Sequence, residues 1–101
     1  MALRNPGQAL GARVIDQGVT AVGAAAIQAI AGSKVGVGEV YLYNNHAAQI
    51  LYIGKEGVTT ANGMPIEAQS YFPFPLPIDR AQDLYVIASG AGTELRWLVV
   101  R

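Results

Sequence analysis

Short apolar runs of strand length alternate with glycine-rich breaks along most of the chain. The runs recur roughly every 8–12 residues, and the later ones are rich in the aromatic and β-branched side chains that strands favour. This pattern predicts an all-β fold, an antiparallel β-sandwich of jelly-roll or immunoglobulin-like type with about six to eight strands. Turn-rich residues at 54–64 and 89–92 predict a long loop and a hairpin. The predicted strands cover residues 13–16, 19–22, 39–44, 49–53, 84–88 and 93–100, and residues 67–76 are predicted to be extended.

Residues 24–30 are ambiguous between a strand and a helix. Their alanines suit a helix, which Gly32 could cap. Glycines at positions 23, 32, 36 and 38 crowd the segment, however, and so many glycines close together favour a strand.

The first twelve residues contain few large apolar side chains, and Asn5-Pro6-Gly7 interrupts any regular pattern. We expect residues 1–12 to form an extended arm and residues 13–101 to form a single sandwich domain. A free arm would be disordered, so contact with another chain is the simplest way to hold it. The candidate contact residues in this arm are Leu3, Arg4 and Leu10.

Several predicted strands are apolar on both faces, although a solvated antiparallel sheet should alternate apolar with polar positions. In the last strand Leu95, Trp97 and Val99 share one face, which predicts that Trp97 is a core residue. The opposite face begins polar and ends apolar. Cover for these second faces could come from a loop, from the arm or from another subunit, and the side chains that such cover would contact are Tyr41, Tyr43, Leu98 and Val100.

Proline alternates with large apolar residues from Phe72 to Pro77. In a strand, Pro73, Pro75 and Pro77 would leave one side without N–H donors, which predicts an edge strand or a polyproline-like segment. Phe72 and Phe74 would then lie together with Leu76, either in the core or in a ridge that contacts another protein.

The composition supports an assembled protein. Hydrophobic residues make up 51% of the chain and charged residues 14%, against about 25% charged in average chains. The net charge is zero, so little electrostatic repulsion keeps copies apart. The basic residues are scattered, which argues against a nucleic-acid partner, and no apolar run has the length of a signal peptide or a membrane span.

Little in the sequence points to catalysis or to a cofactor. His46 is the only histidine and lies in a polar turn, where a solvated side chain is the ordinary role. Asp79 and Asp83 flank Arg80, but these are too few ligands for a calcium loop. Without cysteines the chain has no Cys-based zinc site and no disulfide. We therefore expect a protein that is not an enzyme and has no metal or other cofactor.

Four stretches resemble small structural proteins encoded among the head and tail genes of tailed bacteriophages. The resemblance consists of a strand ending in Asn-Asn, a strand ending in Tyr-Ile-Gly, an Asn-Gly loop and a final hairpin, at residues 41–45, 51–66, 83–90 and 92–96. It spans roughly residues 19–100 and does not include the arm. The alanine-rich residues 24–30 and the prolines of residues 73–77 depart from the pattern.

The resemblance implies a virion protein on the outside of the capsid, made in the host cytoplasm. Such a decoration or cement protein would bind across neighbouring subunits of the major capsid protein and stabilise the head. It would also bind other virion proteins and form a homo-oligomer, with a trimer favoured. The alternatives are a tail, baseplate or fibre component, or a β-sandwich that binds a receptor or carbohydrate.

Overall fold

The computed structural model describes residues 15–30, 35–80 and 83–101. These residues form nine strands and no α-helix, and no helix among them is long and apolar enough to cross a membrane. The all-β prediction is confirmed; the predicted arm, residues 1–12, lies outside the described residues. The strands are β1 (Ile15–Val22), β2 (Ile27–Gln28), β3 (Val35–Asn44), β4 (Leu51–Gly54), β5 (Met64–Ile66), β6 (Ser70–Tyr71), β7 (Leu76–Arg80), β8 (Tyr85–Ala88) and β9 (Thr93–Val100).

The strands form two antiparallel sheets, an arrangement compatible with a β-sandwich. The large sheet has the order β1-β9-β3-β6, and β7 also pairs with β3. The small sheet has the order β2-β8-β4-β5. The last strand, β9, lies between β1 and β3, so that Leu98 is opposite Gln17 on one side and Tyr41 on the other.

Two predicted strands form one continuous strand in the structure, and one predicted extended segment is interrupted. Residues 13–16 and 19–22 were predicted as separate strands, but β1 runs without a break through Gly18 and pairs with β9 along its whole length. Within residues 24–30 only the two residues of β2 are strand. Residues 67–76 were predicted to be extended throughout, but Gln69 has a positive φ of 52° and residues 72–75 are not strand, although the Phe72 N–H donates a 2.9 Å hydrogen bond to the Leu42 carbonyl. Within this range only β6 and the first residue of β7 are strand.

Only the last part of the proline-rich segment lies in an edge strand. Among the described residues β7 pairs with β3 alone, and Pro77 in β7 is opposite Glu39. Pro73 and Pro75 precede β7, so the prediction that three prolines line one strand edge is wrong. The sequence pattern also missed β5, which ends the small sheet and contains Pro65.

The core lies between the two sheets and is built from the alternate residues of each strand. Burying one such side chain stabilises the fold by about 1.5–3 kcal/mol. Trp97 packs against this core but remains partly exposed, and its indole N–H donates a 3.2 Å hydrogen bond to Thr20 Oγ1. The largest fully buried apolar side chains are Ile30, Val40, Leu42, Leu51, Ile66, Val86, Leu95 and Val99.

A fully buried polar residue, Asn44, joins the two sheets where β3 ends. Its Nδ2 donates to the carbonyl of Gln49, 2.8 Å away, and to the carbonyl of Ile66 in β5, 2.9 Å away. Its Oδ1 accepts from the backbone N–H of His46 at 3.1 Å. The side chain thus provides hydrogen-bond partners for backbone groups of the connection between β3 and β4. It also links that connection to β5, at the edge of the small sheet.

The predicted hairpin at residues 89–92 is wrong, because these residues connect β8 of the small sheet to β9 of the large sheet. Gln49 holds the connection that follows Asn44 to this second connection. Its Oε1 accepts a 2.6 Å hydrogen bond from the buried hydroxyl of Thr93, and its Nε2 donates to the carbonyl of Ala91 at 3.0 Å. A side-chain network therefore closes one end of the sandwich.

We expect Asn44→Ala to lower the free energy of unfolding by about 2–4 kcal/mol, because an unmade buried hydrogen bond costs about 1–3 kcal/mol and three groups lose their partner. Urea unfolding monitored by circular dichroism measures this. Asn45→Ala is the matched control, since Asn45 is exposed and its Nδ2 bonds only to Glu94 Oε1 among described side chains. Equal losses in the two variants would contradict the role given to Asn44.

We expect Gly18→Ala to destabilise the protein by about 1–3 kcal/mol, the usual cost of overpacking. An added Cβ would lie 2.5 Å from Trp97 Cζ2, so the indole ring would have to move off β1. Gly23→Ala is the control, because nothing lies within 4 Å of a Cβ added there. Thermal unfolding of both variants compares them, and an unchanged Gly18→Ala protein would contradict the close approach of Trp97.

Candidate functional site: the outer face of the large sheet

The large sheet has a second side that faces away from the small sheet, and we call it the outer face. Because side chains alternate along a strand, it carries the odd-numbered residues of β1 and β3 and the even-numbered residues of β9. Most of these positions are apolar or aromatic. The outer-face residues are Ile15, Gln17, Val19, Ala21, Glu39, Tyr41, Tyr43, Tyr71, Glu94, Arg96, Leu98 and Val100.

Three tyrosines form an aromatic group on the outer face. Tyr43 and Tyr71 are cross-strand neighbours whose ring centroids are 4.6 Å apart. Tyr71 is 72% exposed and Tyr41 is 40% exposed. Together with Leu98 and Arg96 they line an open depression of about 610 Å³.

An apolar strip continues from this depression across the sheet to β1. Leu98 and Val100 of β9 are half-buried, and Val100 is directly opposite Ile15. Ile15 is 64% exposed and Val19 is 56% exposed. The depression and the strip form one contiguous patch, and large exposed apolar patches on soluble domains are commonly functional.

Most of the charged groups around this patch are paired. The Arg96 guanidinium lies 3.2 Å from Glu94 Oε1, which also accepts a 2.7 Å hydrogen bond from Asn45. The hydrogen bond from Asn45, and after it the contact with Arg96, lowers the pKa of Glu94. At the other end of the sheet, Arg101 forms a 2.6 Å ion pair with Asp16. A partner that covers the patch would therefore bring few uncompensated charges out of water.

The predicted contact residues fall into three groups. Tyr41, Tyr43, Leu98 and Val100 come together on the outer face. Phe72 is buried in the core, whereas Phe74 is 55% exposed and its ring centroid lies 4.9 Å from that of Phe72. Leu3, Arg4 and Leu10 lie outside the described residues.

Three prominent members of the patch were not among the predicted contact residues: Ile15, Val19 and Tyr71. Only the pairing of β1 with β9, and of β6 with β3, brings them to this face. The sequence indicated β1 only as two separate short strands, residues 13–16 and 19–22, and neither extended through Gly18.

His46 does not have the freely solvated side chain that its turn predicted. It is half-buried, and its Nδ1 accepts hydrogen bonds from the backbone N–H groups of Ala48, at 3.0 Å, and Gln49, at 2.9 Å. The imidazole therefore shapes the connection that follows Asn44. Asp79 and Asp83, the two candidate cation ligands, are both exposed, and Asp83 Oδ2 lies 3.7 Å from Arg80 Nε. Within residues 15–30, 35–80 and 83–101, no three His, Cys, Asp or Glu side chains are grouped to hold a metal ion.

We expect His46→Ala to lower the free energy of unfolding by about 1 kcal/mol, because two partly solvated backbone N–H groups lose their acceptor. His46→Asn should recover part of this loss, since a short amide side chain accepts from the N–H two residues on. Urea unfolding at pH 7.5 measures both. If the alanine variant equals the unchanged protein, these two hydrogen bonds do not contribute.

Comparison with known proteins supplies no relative. No family model matches the chain, and neither the curated proteins nor the solved structures contain a significant match.

Proposed function

We propose that this chain is a non-enzymatic structural module that binds another protein through the outer face of the large sheet. Following the resemblance of residues 19–100 to phage structural proteins, we further propose that it is a decoration or cement protein on the exterior of a tailed phage head. Its partner would be the major capsid protein, and its effect would be added interface between neighbouring capsid subunits.

The observation that carries this proposal is the apolar and aromatic outer face itself. Tyr41, Tyr71, Ile15 and Val19 are each 40% exposed or more. Covering apolar surface is favourable by about 25 cal/mol for each Å² removed from water. Aromatic side chains also dominate the binding energy of many protein interfaces. For a surface of this composition, contact with a protein partner is lower in free energy than contact with water.

The outer face is also well prepared for binding. Directly behind it, Leu42, Leu95 and Val99 are packed in the core with almost no exposure. The three strands that carry most of the face are each eight or ten residues long and are joined by continuous ladders. A pre-organised surface loses little conformational entropy on binding, so more of the contact energy appears as affinity.

Two rival functions use the same face. A tail, baseplate or fibre component would differ only in its partner. A carbohydrate-binding module is favoured by the tyrosine-lined depression, since sugar rings pack on aromatic side chains. The indole N–H of Trp97 is already bonded to Thr20, and the guanidinium of Arg96 to Glu94. Because apolar and aromatic side chains hold most positions of the outer face, a protein partner fits the face better.

The experiment uses heads that lack the chain, purified from the phage whose genome encodes it. Purified protein is added, and bound protein is measured by co-sedimentation. We expect Tyr41→Ser combined with Leu98→Lys to weaken binding by at least about 30-fold, the effect of losing one hot spot worth about 2 kcal/mol. Met64→Lys is the control, because Met64 is 59% exposed and lies in the small sheet.

Thermal unfolding of each variant checks that the fold is retained. If the double variant binds heads as well as the control does, the outer face is not the contact surface. Binding to isolated tails but not to heads would identify the tail component instead. Binding of a purified glycan that is lost in the double variant would identify the carbohydrate-binding module.

A further inference from the structure

We infer that two copies of this chain pair through the free side of β1, so that their large sheets join into one continuous antiparallel sheet. The pairing would place both outer faces side by side on one surface. The inference concerns the backbone of an edge strand. It holds whether the outer face binds a head, a tail or a glycan.

The five described strands at the sheet edges differ in how well they resist pairing with another chain. Among the described residues, β2 and β6 contain two residues each, too few for a stable ladder. The edge strands β5 and β7 carry Pro65 and Pro77, and proline has no N–H to donate to a ladder. Short strands and prolines are devices by which proteins block edge pairing.

The remaining edge, β1, carries neither device. It has eight residues, contains no proline and pairs only with β9 among the described strands. About half of the N–H and C=O groups of an edge strand point to its open side. Charge on an edge strand can also prevent pairing, but the only charged residue in β1 is Asp16, whose carboxylate is bonded to Arg101. Among the described residues, no strand covers the other side of this eight-residue strand with apolar outer side chains.

Symmetry limits how two copies of β1 can pair. Residues opposite each other in an antiparallel ladder point to the same face, so odd-numbered residues must oppose odd-numbered residues. The two-fold axis must then stand perpendicular to the sheet and lie midway between the two copies of one residue, which is opposite itself. An axis at Val19 places Val19 opposite Val19 of the second copy, and an axis at Gly18 places Val19 opposite Gln17 of the second copy. Both arrangements keep the two outer faces on the same side.

The size of the outer face gives a physical reason for the pair. Four strands about 4.8 Å apart and eight residues of about 3.3 Å give a face of roughly 500 Å². A specific protein interface usually buries about 800 Å² on each partner. One outer face is smaller than this, whereas two joined faces of roughly 1,000 Å² reach it. A two-fold contact closes after two copies, so this edge favours a dimer over the trimer expected from the sequence.

Single cysteines test the pairing directly, because the chain has none of its own. Under mild oxidation, Val19→Cys should form a disulfide-linked dimer with itself if the axis lies at Val19. A mixture of Val19→Cys and Gln17→Cys should form the mixed dimer if the axis lies at Gly18. Met64→Cys is the control, since Met64 has nearly the same exposure as Val19, 59% against 56%, but lies on a proline-containing edge. We expect cross-linking at β1 to be at least about 10-fold faster than in this control.

Sedimentation of the full chain at about 100 µM gives the second readout. We expect a dimer that Val19→Lys weakens at least about 10-fold and Met64→Lys leaves unchanged, with thermal unfolding showing that both variants fold. A monomer or a trimer, or β1 cysteines that cross-link no faster than the Met64→Cys control does, would overturn the inference. If deletion of residues 1–12 converts a monomer into a dimer, the chain's own N-terminal residues occupy this edge, and the inference is wrong. No phage particle is used, so this result is independent of the head-binding experiment.

Discussion

The hydrogen bonds of Asn44 hold together the end of the molecule where the chain passes from the large sheet to the small one. Two carbonyls and one amide, which would otherwise be buried without partners, all bond to this one side chain. Strands on different sheets do not share backbone ladders, and here a side chain bonds to both at the crossing. His46 and Gln49 extend the network to the turn and to the connection between β8 and β9. Leu42 and Leu95 of the large sheet and Leu51 and Ile66 of the small sheet pack in one core beside this corner.

A fixed corner has consequences for the surface. Asn44 lies at the end of the ladder between β3 and β9, whose register places Tyr41 opposite Leu98 and Tyr43 opposite Arg96. On the far side of β9, Gly18 leaves room for the indole of Trp97, which allows β1 to continue flat across the sheet. The outer face is thus a broad and rigid surface whose apolar content has no cover among the described residues. The chain has few charged residues, so little of its surface offsets the unfavourable exposure of this apolar patch to water. The proposed partner would remove that exposure by covering the patch.

The edges of the two sheets show selective protection. Proline or extreme shortness blocks three of the four directions in which a described sheet could grow, and at β7 the proline stands in a strand that pairs with β3 alone. Such protection limits uncontrolled association, since an open edge on every side would lead to aggregates. Among the described strands β1 is the one edge without such protection, and the proposed two-fold contact would occupy it in both copies. Assembly through one edge and one face is consistent with a module that works beside copies of itself.

Local patterns along the chain were enough to predict the all-β class and the strands that end at Asn44 and Val100, but they wrongly predicted a hairpin at residues 89–92, which instead connect the two sheets. They also predicted that Tyr41, Tyr43, Leu98 and Val100 lie opposite the core, because the alternation of side chains is a local property of an extended backbone. Local patterns did not predict that residues 15–22 form one strand, since that depends on a ladder to β9, more than seventy residues away. Nor did they predict β5, the division at Gln69, the place of Tyr71 or the two hydrogen bonds of His46. Each of these depends on a distant segment that supplies a hydrogen-bond partner or fills a space. Composition and alternation therefore determined which residues need burial, and only the tertiary structure decided which of them remain on the surface.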